Sequence, residues 1–149
     1  MIKEFKASNF EGYNGEKIML DEEVHPRFIK MNDVAAKHGI IVVVMDSIRH
    51  GMDVVGAVVP PSKMSNHFIG YAIDFNLKKK STGEWFNNAK LRDDKGPDEA
   101  FCIEVVDTCG LRWGDAFKKK DAIHFDVPLN ITNPVLWHVK YKAIKAEIQ

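Results

Sequence analysis

A chain of 149 residues, 45% apolar and 28% charged, has the make-up of one compact domain, which at this size buries roughly 70% of its unfolded surface. It is too apolar for disorder, and its longest apolar run, Ile40 to Met45, is far short of the roughly 20 residues that span a bilayer. Lys+Arg and Asp+Glu balance at 21 each, so no bulk field draws the chain to nucleic acid or to a membrane, and recognition is expected to be local.

The opening stretch, MIKEFKASNFEGYNGEK, has no continuous apolar segment and no small-residue cleavage site, so no secretory signal is expected. From Asp21 to His38, apolar residues at Val24, Phe28, Met31, Val34 and Ala35 follow the spacing of an amphipathic helix that Gly39 stops. The β-branched run from Ile40 is apolar on both faces and predicts a central, buried strand ending near Arg49. His50 to Gly70 is rich in Gly, Pro and Ser and reads mainly as loop. In the strand that follows, Tyr71, Ile73, Phe75 and Leu77 alternate with Ala72, Asp74 and Asn76, which sets Asp74 mid-strand.

The polar stretch Lys78 to Lys95 reads as an exposed insertion or hairpin, and its basic run Lys78 to Lys80, like Lys118 to Lys120, as a solvated loop. Pro97 and Asp98 suit the first turn of a helix running to about Asp107 and stopped by Gly110. Cys102 and Cys109 on that helix stand roughly 10 Å apart at 1.5 Å per residue, too far for a disulfide, and read as small core residues. LRWGDAF and AIHFDV predict two short strands, and Asn133 caps a last helix from Pro134 to Ile148. The later strands follow too closely for parallel crossovers, so the expected class is α+β with a mainly antiparallel sheet flanked by helices, in one domain spanning residues 1–149.

Two pieces carry chemistry: SNHFIGYAIDF from Ser65 to Phe75, and GLRWGDAFKKKDAIHF from Gly110 to Phe125. A catalytic zinc site takes three His or carboxylate ligands and leaves a fourth position for water, and His67, Asp74 and His124 can supply that set. A turn at Gly70 would let His67 fold back over the face from which Asp74 projects. Asp121, three residues before His124, is the candidate general base, which would accept a proton from water and pass it to the leaving amine. Arg49 is the candidate electrophile or substrate anchor. A carboxylate in an otherwise apolar strand, as at Asp74, is costly unless paired or bound to metal. His25, His38 and His138 read as ordinary helix residues, whereas His50 is a neighbour of Arg49 that could line the same cleft. Asp46, Asp53, Asp115 and Asp126 are further acids that could orient a ligating His, and Trp113 reads as packing.

Together these pieces resemble the zinc D-Ala-D-Ala metallopeptidases and L-alanyl-D-glutamate peptidases. That family's pattern is Ser-x-His-x-x-Gly-x-Ala-x-Asp-Phe, followed by Trp and then Asp or Glu-x-x-His-Phe. Ser65, His67, Gly70, Ala72, Asp74, Phe75, Trp113, Asp121, His124 and Phe125 fit it, and the likeness runs from about residue 24 to 128. Ahead of Arg49 the family's Ser-x-x-Arg is replaced by Asp46, Ser47, Ile48, Arg49. The resemblance implies a zinc cofactor on His67, Asp74 and His124, a base at Asp121, a supporting Arg49, and the fold shared with lysostaphin-like enzymes and the hedgehog signalling domain.

It also implies a peptidoglycan stem peptide as substrate. Asp at the base position looks like the endolysin branch, which cuts the L-alanyl-D-glutamate bond; D-Ala-D-Ala carboxypeptidase or dipeptidase action is the alternative. Such endolysins are made in the cytoplasm and reach the wall after a holin opens the membrane, and a monomer without nucleic-acid or membrane partners is expected. Two other classes stay open: a zinc-bearing wall-binding module without catalysis, and a Cys-His hydrolase using Cys102 or Cys109.

Overall fold

The computed structural model describes residues 1–49, 63–86, 97–114, 117 and 121–148. The expectations for His50, Asp53, Asp115, Lys118 to Lys120 and most of the Gly- and Pro-rich loop lie outside these residues.

The chain opens with three short strands that its sequence pattern did not announce: β1 (Ile2–Phe5), β2 (Phe10–Gly12) and β3 (Ile18–Asp21). β1 and β3 pair antiparallel as a two-stranded sheet of their own, while β2 joins the main sheet. Asp21 then accepts a hydrogen bond from the Glu23 amide at 2.9 Å, capping a 3-10 turn that leads into helix α1 (His25–His38). The predicted helix is therefore present but starts four residues later, because Asp21 is spent on the turn. Phe28, Met31, Val34 and Ala35 are its buried positions, as the spacing required.

β4 (Ile40–Asp46) is the predicted central strand, with β2 parallel on one side and β5 (Ala72–Lys79) antiparallel on the other. Both faces of β4 are covered at Val42, Val43 and Val44, which explains the unbroken apolar run. β6 (Trp85–Phe86) folds back on β5, so the start of the polar insertion is a hairpin. Lys78 and Lys79 belong to β5 and not to a solvated loop, and Lys78 pairs with Glu11 on the neighbouring β2 segment.

Helix α2 (Pro97–Cys109) packs on α1, and β7 (Arg112–Trp113) with β8 (His124–Asp126) completes the main sheet in the order β2-β4-β5-β8-β7. A short helix α3 (Leu129–Thr132) precedes α4 (Pro134–Ile148), whose first turn is capped by Asn133 through the Leu136 amide at 3.1 Å. The result is α+β with a mostly antiparallel sheet, as expected; among the described residues the one parallel pair is β2 with β4. On β5, Ile73, Phe75 and Leu77 are fully buried, and Phe75 stacks on Phe125 of β8 at 4.6 Å between centroids. Asp74 and Asn76 project from the opposite, less buried side of the strand. No helix among the described residues is long and apolar enough to cross a membrane.

Candidate metal centre

Strand register assembles the site. Asp46 of β4 lies opposite Asp74 of β5, and Asp74 lies opposite His124 of β8, so three adjacent strands set these side chains in one row. Directly opposed residues in antiparallel strands have Cβ atoms roughly 5 Å apart, close enough for their polar ends to meet. A register shift between Val44 and Asp46 makes Met45 an extra residue in β4, and this brings Asp46 into the row.

His67 reaches the row from a 3-10 turn, Asn66–Ile69, just ahead of β5. Ser65 caps the turn, its Oγ accepting from the His67 amide at 3.2 Å, and Gly70 ends it in a left-handed conformation at φ 72°. A Cβ at Gly70 would also stand 2.6 Å from Ile2 Cδ1 and 2.8 Å from the Asp21 amide nitrogen. The fold-back anticipated at Gly70 is thus present, and both backbone conformation and space call for glycine.

Asp74 Oδ1 lies 3.1 Å from His67 Nε2 and 3.2 Å from His124 Nδ1. The remaining imidazole nitrogens are engaged as donors: His67 Nδ1 to the Ser47 carbonyl at 2.8 Å, and His124 Nε2 to Asp126 Oδ2 at 3.0 Å. These contacts leave His67 Nε2 and His124 Nδ1 directed, with the carboxylate, at one point. Three acceptor lone pairs that converge repel one another unless a cation or protons sit among them. One ligand atom from each residue lies within 4.8 Å of the others, and among the described residues no other group of three His, Cys, Asp or Glu does this. Two imidazole nitrogens and a carboxylate oxygen are a donor set that zinc takes, so the residues fit the metal.

The site attracts positive charge. Burial alone would disfavour protonated His124, but its bonds to Asp126 and Asp74 outweigh this and raise its pKa to about 9. Burial alone would likewise raise Asp74, yet His124 and His67 hold its carboxyl well below the ordinary range.

Asp126 is the residue that sequence left among four undifferentiated acids. It is 2% exposed, receives Arg112 through Nε at 2.9 Å and Nη2 at 2.7 Å, and accepts from Asn66 Nδ2 at 3.0 Å. A carboxylate fixed by a two-pronged guanidinium holds the His124 ring in one orientation and one tautomer. The signal lay in His-Phe-Asp on one short strand, where alternate residues share a face.

Asp121 sits in the turn ahead of β8, where its amide donates to the Gly114 carbonyl at 2.9 Å and its carbonyl accepts from the His124 amide at 3.2 Å. A Cβ on Gly114 would come within 2.1 Å of the Asp121 carbonyl oxygen, so the close approach of these two segments depends on glycine. Arg49 is placed at the row by Asp46: its Nη2 lies 2.5 Å from Asp46 Oδ2 and 3.3 Å from Asp74 Oδ2. Trp113 is packed, with Nε1 donating to the Ala122 carbonyl at 2.8 Å.

His25, His38 and His138 make their bonds elsewhere, to the Leu20 carbonyl, Glu104 and the Pro134 carbonyl. Cys102 and Cys109 are buried free thiols, and burial pushes the Cys109 pKa up, which argues against a nucleophilic cysteine.

Residues 60–127 match the model of a peptidase family, M15, described as D-alanyl-D-alanine carboxypeptidase. The matched span is less than half of the chain; it holds His67, Asp74, Asp121 and His124 and leaves out Arg49. No curated protein matches the chain. The match supports a metallopeptidase acting on peptidoglycan peptides of the D-Ala-D-Ala type.

Proposed function

We propose that the chain is a zinc peptidase that cuts the peptidoglycan stem peptide at its L-alanyl-D-glutamate bond. The observation that carries this reading is the convergence of His67, Asp74 and His124, each imidazole tethered at its other nitrogen. A zinc held by these three residues would supply a Lewis acid able to polarise the scissile carbonyl and acidify water.

The chain's own residues do the rest. Asp121, anchored by backbone bonds to Gly114 and His124, takes the proton of the attacking water on its carboxylate and delivers it to the departing amine. Arg49, held by Asp46, presents its guanidinium to the oxyanion or to a substrate carboxylate. Ser47 and Asp126 keep the two imidazoles in the tautomers that leave their inner nitrogens unprotonated for metal.

The choice of bond rests on Asp121. A base one methylene shorter than Glu stands further back, and the resemblance associates Asp at this place with the endopeptidase branch. The family description favours a second reading, release of terminal D-Ala. Digesting a defined muropeptide with a full stem decides between them by mass. The expected product is a peptide with a new N-terminus on D-Glu, with L-Ala left on the sugar. Free D-Ala with that bond intact would overturn the endopeptidase assignment, and an untouched stem would overturn both.

A further inference from the structure

The motif Ser-x-His leaves its middle position open, and here that position is Asn66. Asn66 is 3% exposed, and its side-chain amide joins three elements. Its Nδ2 donates to Asp126 Oδ2 of β8 at 3.0 Å and to Asn130 Oδ1 of α3 at 2.9 Å. Its Oδ1 accepts from the Asn130 backbone amide at 3.2 Å, and Asn130 Nδ2 in turn donates to the Met64 carbonyl at 3.0 Å. Both amide hydrogens and the carbonyl oxygen are thus engaged, and only this orientation satisfies the neighbours. Turned over, the amide would set its oxygen against the Asp126 carboxylate and its N–H groups against the Asn130 N–H.

Asp126 Oδ2 accepts from His124 Nε2 and Arg112 Nη2 as well as from Asn66. Of the two donors that hold this carboxylate for His124, Arg112 stands on the edge strand β7 with its side chain 32% exposed, whereas Asn66 is buried and bound at both ends. Asn66 also directly precedes His67 in the 3-10 turn. One turn therefore carries the first imidazole itself and grips the anchor of the second. We propose that Asn66 is a positioning residue of the metal centre: by donating to Asp126 it keeps that carboxylate an acceptor for His124 Nε2, so that His124 Nδ1 faces the cluster without a proton, and it ties this imidazole to the turn that bears His67. The inference rests on the metal-centre reading above, and Asn66 acts only through Asp126.

The test measures zinc Kd by chelator competition for the parent chain, Asn66→Ala, Asp126→Asn, their double variant and Asn130→Ala, each checked for folding by circular dichroism and thermal melting. Asn66→Ala weakens zinc binding about tenfold, at the low end of the range for groups that orient a ligand. In the Asp126→Asn background the same change costs less than about twofold, because the contact it acts through is already altered. Asn130→Ala keeps the bond from Asn66 to Asp126, so it lowers Tm and leaves zinc affinity unchanged. A lower Tm with parental zinc affinity in Asn66→Ala, equal losses in both backgrounds, or an equal loss in Asn130→Ala would each overturn the role and leave the metal centre standing. A parent chain that binds no zinc would overturn both. Should Asn66→Ala fail to fold, the parent chain decides. With His124 ligated, its Nε2 hydrogen is held more tightly by Asp126 and the bond from Asn66 weakens, so the Asn66 side-chain amide NMR signals move as zinc is added. Signals that stay in place would overturn the role.

Discussion

At the scale of single residues, the proposed mechanism separates groups that would hold metal from groups that would use it, and substitution should separate them too. Asp121→Asn is expected to keep zinc and fold yet lower kcat by roughly 10²-fold or more, the range for a positioned base. Undiminished turnover would remove Asp121 from the mechanism. Asp126→Asn leaves all three ligands in place but loosens the anchor of His124 and strands Arg112; zinc affinity should fall about 10- to 100-fold, read by competition with a chromophoric chelator. An unchanged affinity would show that the Asp126 contact does not govern the ring. For Arg49→Ala, kcat/KM should drop while zinc content holds if the guanidinium addresses substrate as proposed; lost zinc would make it a structural partner of Asp74. The ligand residues were legible in the sequence because their spacing matches a pattern. Asp46 was not, because its place depends on which strand lies beside which, and Asp126 showed only as the alternate residue of His-Phe-Asp, with nothing local to mark its bond to Arg112.

At the scale of elements, the long periodic segments were readable and the short ones were not. α1 and β5 each bury a face whose period shows in the spacing of Phe28, Met31 and Ala35 and of Ile73, Phe75 and Leu77, while β4 showed as an unbroken apolar run and α2 and α4 by their end signals, Pro97 and Asn133. β1, β2 and β3 are three or four residues long, shorter than any window in which alternation stands out, and β2 exists because it pairs with β4. The turn before β8 was expected from Asp121 standing three residues ahead of His124; its bond to Gly114 was not. Gly114 is its weak point: Gly114→Ala would drive a methyl group into the Asp121 carbonyl, and the backbone must move to relieve it. The expected outcome is a lower Tm together with weaker zinc binding, because the turn carries His124 on its far side. A variant with wild-type Tm and wild-type zinc affinity would show that the turn yields without disturbing the site.

At the scale of the whole molecule, Tyr71 ties distant parts of the chain together. Its hydroxyl donates to Glu23 at 2.9 Å, while Lys140 of α4 reaches both Asp21 and Glu23, at 3.1 and 3.3 Å. Burial and the bond to Glu23 push the Tyr71 pKa up to about 12. A folded-state pKa above the ordinary value of about 10 means that the neutral form is favoured by folding. Its stabilising share is fully present below pH 10 and is lost as pH rises through 12. Tyrosinate absorbance should therefore show one of the three tyrosines titrating near pH 12, and Tyr71→Phe should abolish that component; an identical titration in the variant would refute the assignment. The Tyr71 amide donates to the Asn66 carbonyl at 2.9 Å, so these bonds reach the turn that bears His67. Zinc on His67, Asp74 and His124 is the centre of the proposed function, and elemental analysis of the purified chain after dialysis tests it most directly. The account predicts one zinc per chain, absent from His67→Ala and His124→Ala variants that keep their folded circular-dichroism spectrum; equal zinc in the parent and in folded variants would contradict it.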